Sequence, residues 1–175
     1  MHLRCSVLLL LLVGASRAEG QQRPDSLPHG WLYGVSLGIP NYEGRVVPDL
    51  LSFGANFTDI HPNRLGADFA IGTMPYYFAQ QILPVGARAG VALPVPLAST
   101  SPLLVIPSAG LSALAAAGAG GGGGTVGFNA GIATVIYSGG LGFRAGLTSN
   151  YFRHLGWRPL WLFEVGFVVV PVKSP

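Results

Sequence analysis

The stretch Val126-Gly127-Phe128-Asn129-Ala130-Gly131-Ile132-Ala133-Thr134-Val135-Ile136 decides the fold. Val126, Phe128, Ala130, Ile132, Thr134 and Ile136 alternate with Gly127, Asn129, Gly131 and Ala133, and a period of two belongs to a β-strand. The second face is the informative one. A strand covering a soluble core turns bulky residues inward and shows charged ones to water. Here the second face offers only hydrogen atoms, methyl groups and an amide.

The same contrast recurs along the chain. Trp31, Tyr33, Val35, Leu37 and Ile39 oppose Gly34, Ser36 and Gly38, and Leu51, Phe53, Ala55 and Phe57 oppose Ser52, Gly54, Asn56 and Thr58. Leu65, Ala67, Phe69 and Ile71 oppose Gly66, Asp68, Ala70 and Gly72, and Leu83 through Val95 alternates against Gly86, Arg88, Gly90 and Ala92. A fifth segment, about 103 to 115, sets Ala109, Leu111 and Ala113 against Ser108, Gly110 and Ser112, with Pro107 awkward in mid-ladder. Beyond 126–136, Leu141, Phe143, Ala145 and Leu147 oppose Gly142, Arg144, Gly146 and Thr148, and Trp161, Phe163, Val165, Phe167 and Val169 oppose Leu162, Glu164 and Gly166. Eight strands result.

Composition narrows what such a sheet can be. The chain has 175 residues, half of them hydrophobic, with 10 basic and 7 acidic residues. That is too apolar for a disordered polyelectrolyte and too short for a large multidomain enzyme. With 26 glycines, long helices are costly and curved sheet is favoured. The single lysine, Lys173, lies beyond the last strand, so no face is built for water. The expected fold is an all-β, eight-stranded, antiparallel up-and-down transmembrane barrel. Lipid takes the place of a core outside, and small and polar residues fill a narrow interior. Closure also pairs edge amides that would each cost several kcal/mol in hydrocarbon.

Residues 1–18 read as a secretory leader: a basic start, the aliphatic run Val7 to Val13, and Ser16-Arg17-Ala18 before a cleavage point. The run is short for an inner-membrane helix. Cys5 precedes it and leaves with the leader, and loss of Arg4 and Arg17 brings the formal charge to +1. Residues 19–30 read as a polar, flexible segment, 31–170 as the barrel and 171–175 as a tail. His61-Pro62-Asn63 and Ser138-Gly139-Gly140 are short turns, whereas 40–50, 74–81, 116–125 and 150–159 are longer connections assigned to the outside. The connection from Pro94 to Pro102 is long for a periplasmic turn. Trp31, Tyr76, Tyr77, Tyr151, Trp157 and Trp161 fall near strand ends, where aromatic girdles meet lipid headgroups.

The rare charges define the candidate site. Asp68, Arg88, Arg144 and Glu164 share the inward face and read as two opposite-sign pairs on neighbouring strands. They are expected to form an interior polar network with Asn56, Asn129, Thr58 and Thr148 that plugs the bore. Phe53, Phe57, Phe69, Phe128, Phe143, Phe163 and Phe167 are expected to face lipid. Ala115 to Gly124 reads as a floppy surface loop; it has no Walker lysine before Thr125. No metal or cofactor is expected, since His29, His61 and His154 stand in no ligand cluster. A hydrolytic barrel would need Ser149, His154 and an acid to meet at the outer rim. Nucleic acid is not an expected partner, because the mature charge is near zero and no basic stripe exists.

Leu65 to Thr73, Pro107 to Ser112 and Gly127 to Gly131 resemble the small bacterial outer-membrane β-barrel proteins of the opacity and OmpA transmembrane-domain type, a diffuse similarity over nearly the whole mature chain. The resemblance implies a bacterial outer-membrane location and lipid or lipopolysaccharide surroundings. It also implies insertion by the barrel-assembly machinery after escort by periplasmic chaperones. It brings no catalytic residue. Such proteins usually end in an aromatic residue, whereas here Phe167 is followed by Val168 to Pro175. The expected role is structural or adhesive, with any extracellular ligand met by loops 40–50, 74–81 and 150–159. Two rivals remain: a soluble exported barrel that turns its phenylalanines inward around an apolar ligand, and a lipid-hydrolysing membrane barrel.

Overall fold

Alternating bulky and small side chains make each segment extended, and pairing between chain neighbours joins the segments into one closed sheet. A computed structural model describes residues 28–61, 64–97 and 102–171. The leader at 1–18, most of the segment 19–30, Pro62 and Asn63 of the first short turn, 98–101 of the connection from Pro94 to Pro102 and nearly all of the tail 171–175 lie outside the described residues. The strands are β1 (Gly30–Tyr42), β2 (Ser52–Ile60), β3 (Gly66–Thr73), β4 (Ile82–Ala92), β5 (Leu103–Gly118), β6 (Gly121–Ser138), β7 (Leu141–Phe152) and β8 (Pro159–Val169). Each is antiparallel to its sequence neighbour, and β1 pairs with β8 to close the barrel.

The register fixes its shape. Following paired residues around the sheet, Tyr42 leads through Leu160, Asn150, Asn129, Gly110, Gly90, Asp68 and Thr58 back to β1 at Leu32, a stagger of 10 residues per circuit (42 to 32). A staggered eight-stranded barrel has tilted strands and a bore just wide enough for side chains. The phenylalanines point away from it. Phe53, Phe69, Phe128, Phe143, Phe163 and Phe167 are exposed, and Phe57 lies half-buried against the exposed ring of Tyr33. The soluble rival needs these rings inside, and the structure places them outside. Trp31 stacks on Phe69 near the end that holds the chain termini, and Phe128 stacks on Trp157 near the other.

The connections at the non-terminal end, here the loop end, are more ordered than expected. After β1, Arg45–Val46 folds back on Asn41 and Tyr42 through Glu43 and Gly44, both at positive φ, and a 3-10 turn at Pro48–Leu50 leads into β2. Pro75–Gln80 and Arg153–Leu155 form 3-10 turns in the second and fourth connections. The expected floppy loop at 115–124 is instead a continuous hairpin. Ala115, Ala116, Ala117 and Gly118 pair with Gly124, Gly123, Gly122 and Gly121, leaving only Ala119-Gly120 as the turn. Alternation vanishes where both faces are small, yet the backbone pairs without side-chain obstruction.

At the terminal end, Gly139 (φ 59) turns β6 into β7. Val95–Pro96 pairs with Leu104 and Val105 before the chain enters β5. Pro107 sits on the outward face of β5, and its carbonyl accepts a 2.9 Å hydrogen bond from Leu93 N. The proline stays in register opposite Ile132, and its carbonyl still takes a donor although it has no N–H to give.

Candidate functional site

The inward faces fill the bore in three layers. Nearest the termini, Leu32, Ile60, Leu104, Ile106, Val135 and Val168 are buried in one apolar cluster with Tyr137 and Val170. On β1, β2, β5, β6 and β8 these residues continue the inward face that carries Ser36, Asn56, Ser112, Asn129 and Glu164, so along those strands the inner surface changes from polar to apolar. The Tyr137 hydroxyl has no hydrogen-bond partner in this layer.

The charged layer lies above it. Arg88 on β4 reaches across the bore to Glu164 on β8, with Nη2 2.8 Å from Oε2. Its Nη1 donates to Thr148 Oγ1 at 2.7 Å, and Nη2 makes a long contact of 3.5 Å with Asn56 Oδ1. Thr148 in turn donates to Glu164 Oε2 at 3.4 Å. Asp68 accepts from Thr58 Oγ1 at 2.7 Å, and Thr58 accepts from Arg144 Nη1 at 3.3 Å. Arg144 Nε has no acceptor.

This corrects the neighbouring-strand pairs expected from sequence. On β3 and β4, Asp68 lies opposite Gly90 and Arg88 opposite Ala70. On β7 and β8, Arg144 lies opposite Gly166 and Glu164 opposite Gly146. Every charge therefore has a minimal side chain beside it, and the long arginine arms extend over those gaps to the far wall. Asn129 is also placed differently. It donates to Ser112 Oγ at 3.0 Å, and Ser112 donates to Asn150 Oδ1 at 2.7 Å, a separate cluster nearer the loop end. Ser36, which accepts from Asn56 Nδ2 at 2.8 Å, joins the charged layer, and sequence reasoning missed it together with Ser112 and Asn150.

Above the polar floor the bore widens into a cup of about 620 Å³. Pro40, Ile82, Leu114, Phe152, Leu160 and Leu162 supply much of its wall, and Arg88 and Glu164 lie at its base. Phe152 is buried, unlike the outward phenylalanines. The rims are held by local contacts: Arg158 pairs with Glu43, and His154 Nδ1 lies 3.2 Å from Thr125 Oγ1.

The Ser149–His154 arrangement required for hydrolysis is not assembled. Ser149 Oγ donates to the Ala130 carbonyl at 3.0 Å, and no hydrogen bond joins it to His154. Among the described residues, no group of three or more His, Cys, Asp or Glu side chains could hold a metal ion, and no helix is long and apolar enough to cross a membrane.

No family model and no curated sequence matches the chain. Solved structures do match in fold. The attachment invasion locus protein Ail of Yersinia pestis superposes with a TM-score of 0.57 at 8% identity, over 83% of this chain and 100% of its own. The outer membrane protein OprG of Pseudomonas aeruginosa gives 0.57 at 8%, over 87% and 100%. A de novo designed transmembrane barrel gives 0.51 at 13%, over 83% and 98%. A designed chain among the matches makes the meaning of the likeness plain, because the barrel geometry follows from packing and pairing rules and carries no role by itself. The chain has the fold of the small eight-stranded outer-membrane β-barrels.

Proposed function

We propose that the protein is a bacterial outer-membrane barrel that anchors a binding or adhesive surface at its loop end and does not conduct. The observation that supports this is the closure of the bore by two barriers in series, the Arg88–Glu164 floor and the apolar layer beneath it. An aqueous route would have to break a buried ion pair and then wet an alkyl plug. With no passage through the wall, the outward belt serves as an anchor in lipid or lipopolysaccharide, and the loop end is left for contact with the surroundings. The barrel-assembly machinery and periplasmic chaperones are the partners such a belt requires before insertion. That one neighbour in fold is named for attachment and invasion agrees with this role.

Planar-bilayer recording tests it. The folded protein is expected to leave the membrane electrically silent. Reproducible discrete steps absent from a heat-denatured control refute the sealed bore.

A further inference from the structure

We propose that the cup at the loop end is a binding site for a small neutral amphiphile, whose apolar body lies against the wall and whose single hydrogen-bonding head meets the polar floor. The proposal rests on the sealed-bore reading, because a floor that opened would turn the cup into a vestibule.

The size and the lining carry the argument. The volume of about 620 Å³ falls within the range of small-molecule sites, roughly 300–1,000 Å³. Such sites combine apolar walls with a few convergent polar groups, and this one has Pro40, Ile82, Leu114, Phe152, Leu160 and Leu162 around Asn56 and Asn150. Both amides are buried and fixed by neighbours: Asn56 by Ser36 and Arg88, Asn150 by Ser112 and the Leu160 carbonyl. Each amide nitrogen carries a second proton beyond the one donated, which a hydroxyl or carbonyl oxygen can accept.

Charge selects the head. Arg88 and Glu164 are the ionised side chains at the base, and they neutralise each other at 2.8 Å. An anionic head would compete with Glu164 for Arg88 and leave a carboxylate buried beside it; a cationic head would do the reverse to Arg88. A neutral head leaves the pair intact.

Met74 provides the reporter. It lines the cup and, apart from Met1, is the sole methionine of the chain. The barrel, labelled with ¹³C-methyl methionine and held in lipid nanodiscs, is titrated with 1-hexanol, hexanoate and hexylammonium. The Met74 methyl resonance is expected to shift saturably with 1-hexanol at concentrations where the two ions leave it in place. Ala116→Trp, which fills the cup from the β5 wall, abolishes the shift, and Val126→Trp on the lipid face preserves it. Leu114→Phe gives a second filling variant should Ala116→Trp fail to show heat-modifiable gel migration. A response that grows linearly without saturating, that survives both filling variants, or that is matched by either ion overturns the proposal. A silent bilayer together with such a result removes the ligand and leaves the sealed barrel standing, whereas discrete conductance steps remove the sealed barrel itself.

Discussion

The two halves of the bore are built on the same eight strands and wear the same apolar belt, yet they are filled in opposite ways. Toward the termini, Leu32, Ile60, Leu104, Ile106 and Val135 pack against one another without exposure. Toward the loops, glycine and alanine stand at many inward positions and a cavity of about 620 Å³ remains. Lipid dictates only the outer face, since any polar group there is costly in hydrocarbon. The inner face is free to be packed for stability or left open for contact, and this chain does one at each end. The charged layer forms the boundary.

The largest expected effect lies at that boundary. Glu164→Ala leaves the Arg88 guanidinium buried without its carboxylate, and loss of one member of a buried pair costs about 3–5 kcal/mol. Urea titration of the barrel in lipid vesicles, read by heat-modifiable gel migration, measures it. Replacing both partners, with Arg88→Met and Glu164→Leu, is expected to recover most of the loss, because an apolar pair of similar size needs no charge compensation. A single replacement that costs nothing would mean that water already reaches the floor and that the two halves are one continuous space.

A smaller effect separates the halves directly. Leu104→Ala opens a void in the packed layer and is expected to cost about 2–5 kcal/mol, the range for buried Leu truncations. Leu114→Ala trims a half-buried side chain that already borders open space, so the expected cost is below about 1 kcal/mol. Equal costs in the same titration would erase the distinction between a packed end and an open one.

Much of this architecture was legible from alternation alone. Phe69 beside Ala70 and Phe143 beside Arg144 point to the side that meets lipid, because the opposite face lacks the charged residues a water-facing surface would carry, and the exposed rings exclude the soluble rival. Two things were hidden. Leu104 and Ile106 share their face with Ser112, and Tyr137 shares its face with Asn129, so a pattern judged at mid-strand overlooks the apolar turn these inward faces take near the termini. Reading the same parity to the ends of β5 and β6 would have found them. The ionic partners were hidden for a different reason. Strand adjacency gives Cα neighbours, whereas the arginine arms cross the bore where the adjacent positions are Ala70 and Gly166, and only the register says so. The hairpin at 115–124 escaped because Ala and Gly on both faces leave no alternation to read, though the backbone pairing is complete.

Two glycines carry the comparison to its finest scale. Gly90 and Gly110 face each other across β4 and β5, and a Cβ at Gly90 would run into the carbonyl oxygen of Ala109. Backbone cannot yield as a side-chain tip can, so Gly90→Ala is expected to destabilise by about 1–3 kcal/mol, the usual cost of overpacking. Gly123 borders the cup, and a Cβ there meets no atom within 4 Å. Its backbone lies in a regular strand without positive φ, where glycine only adds freedom to the unfolded chain. Gly123→Thr is therefore expected to stabilise by roughly 0.5–1 kcal/mol, since β-branched residues suit a strand that glycine weakens. The opposite signs, measured on one urea scale, would trace the border between packed and open bore to the level of a single carbon atom. The same sign at both positions would show that the strand, and not the space in front of it, sets the response.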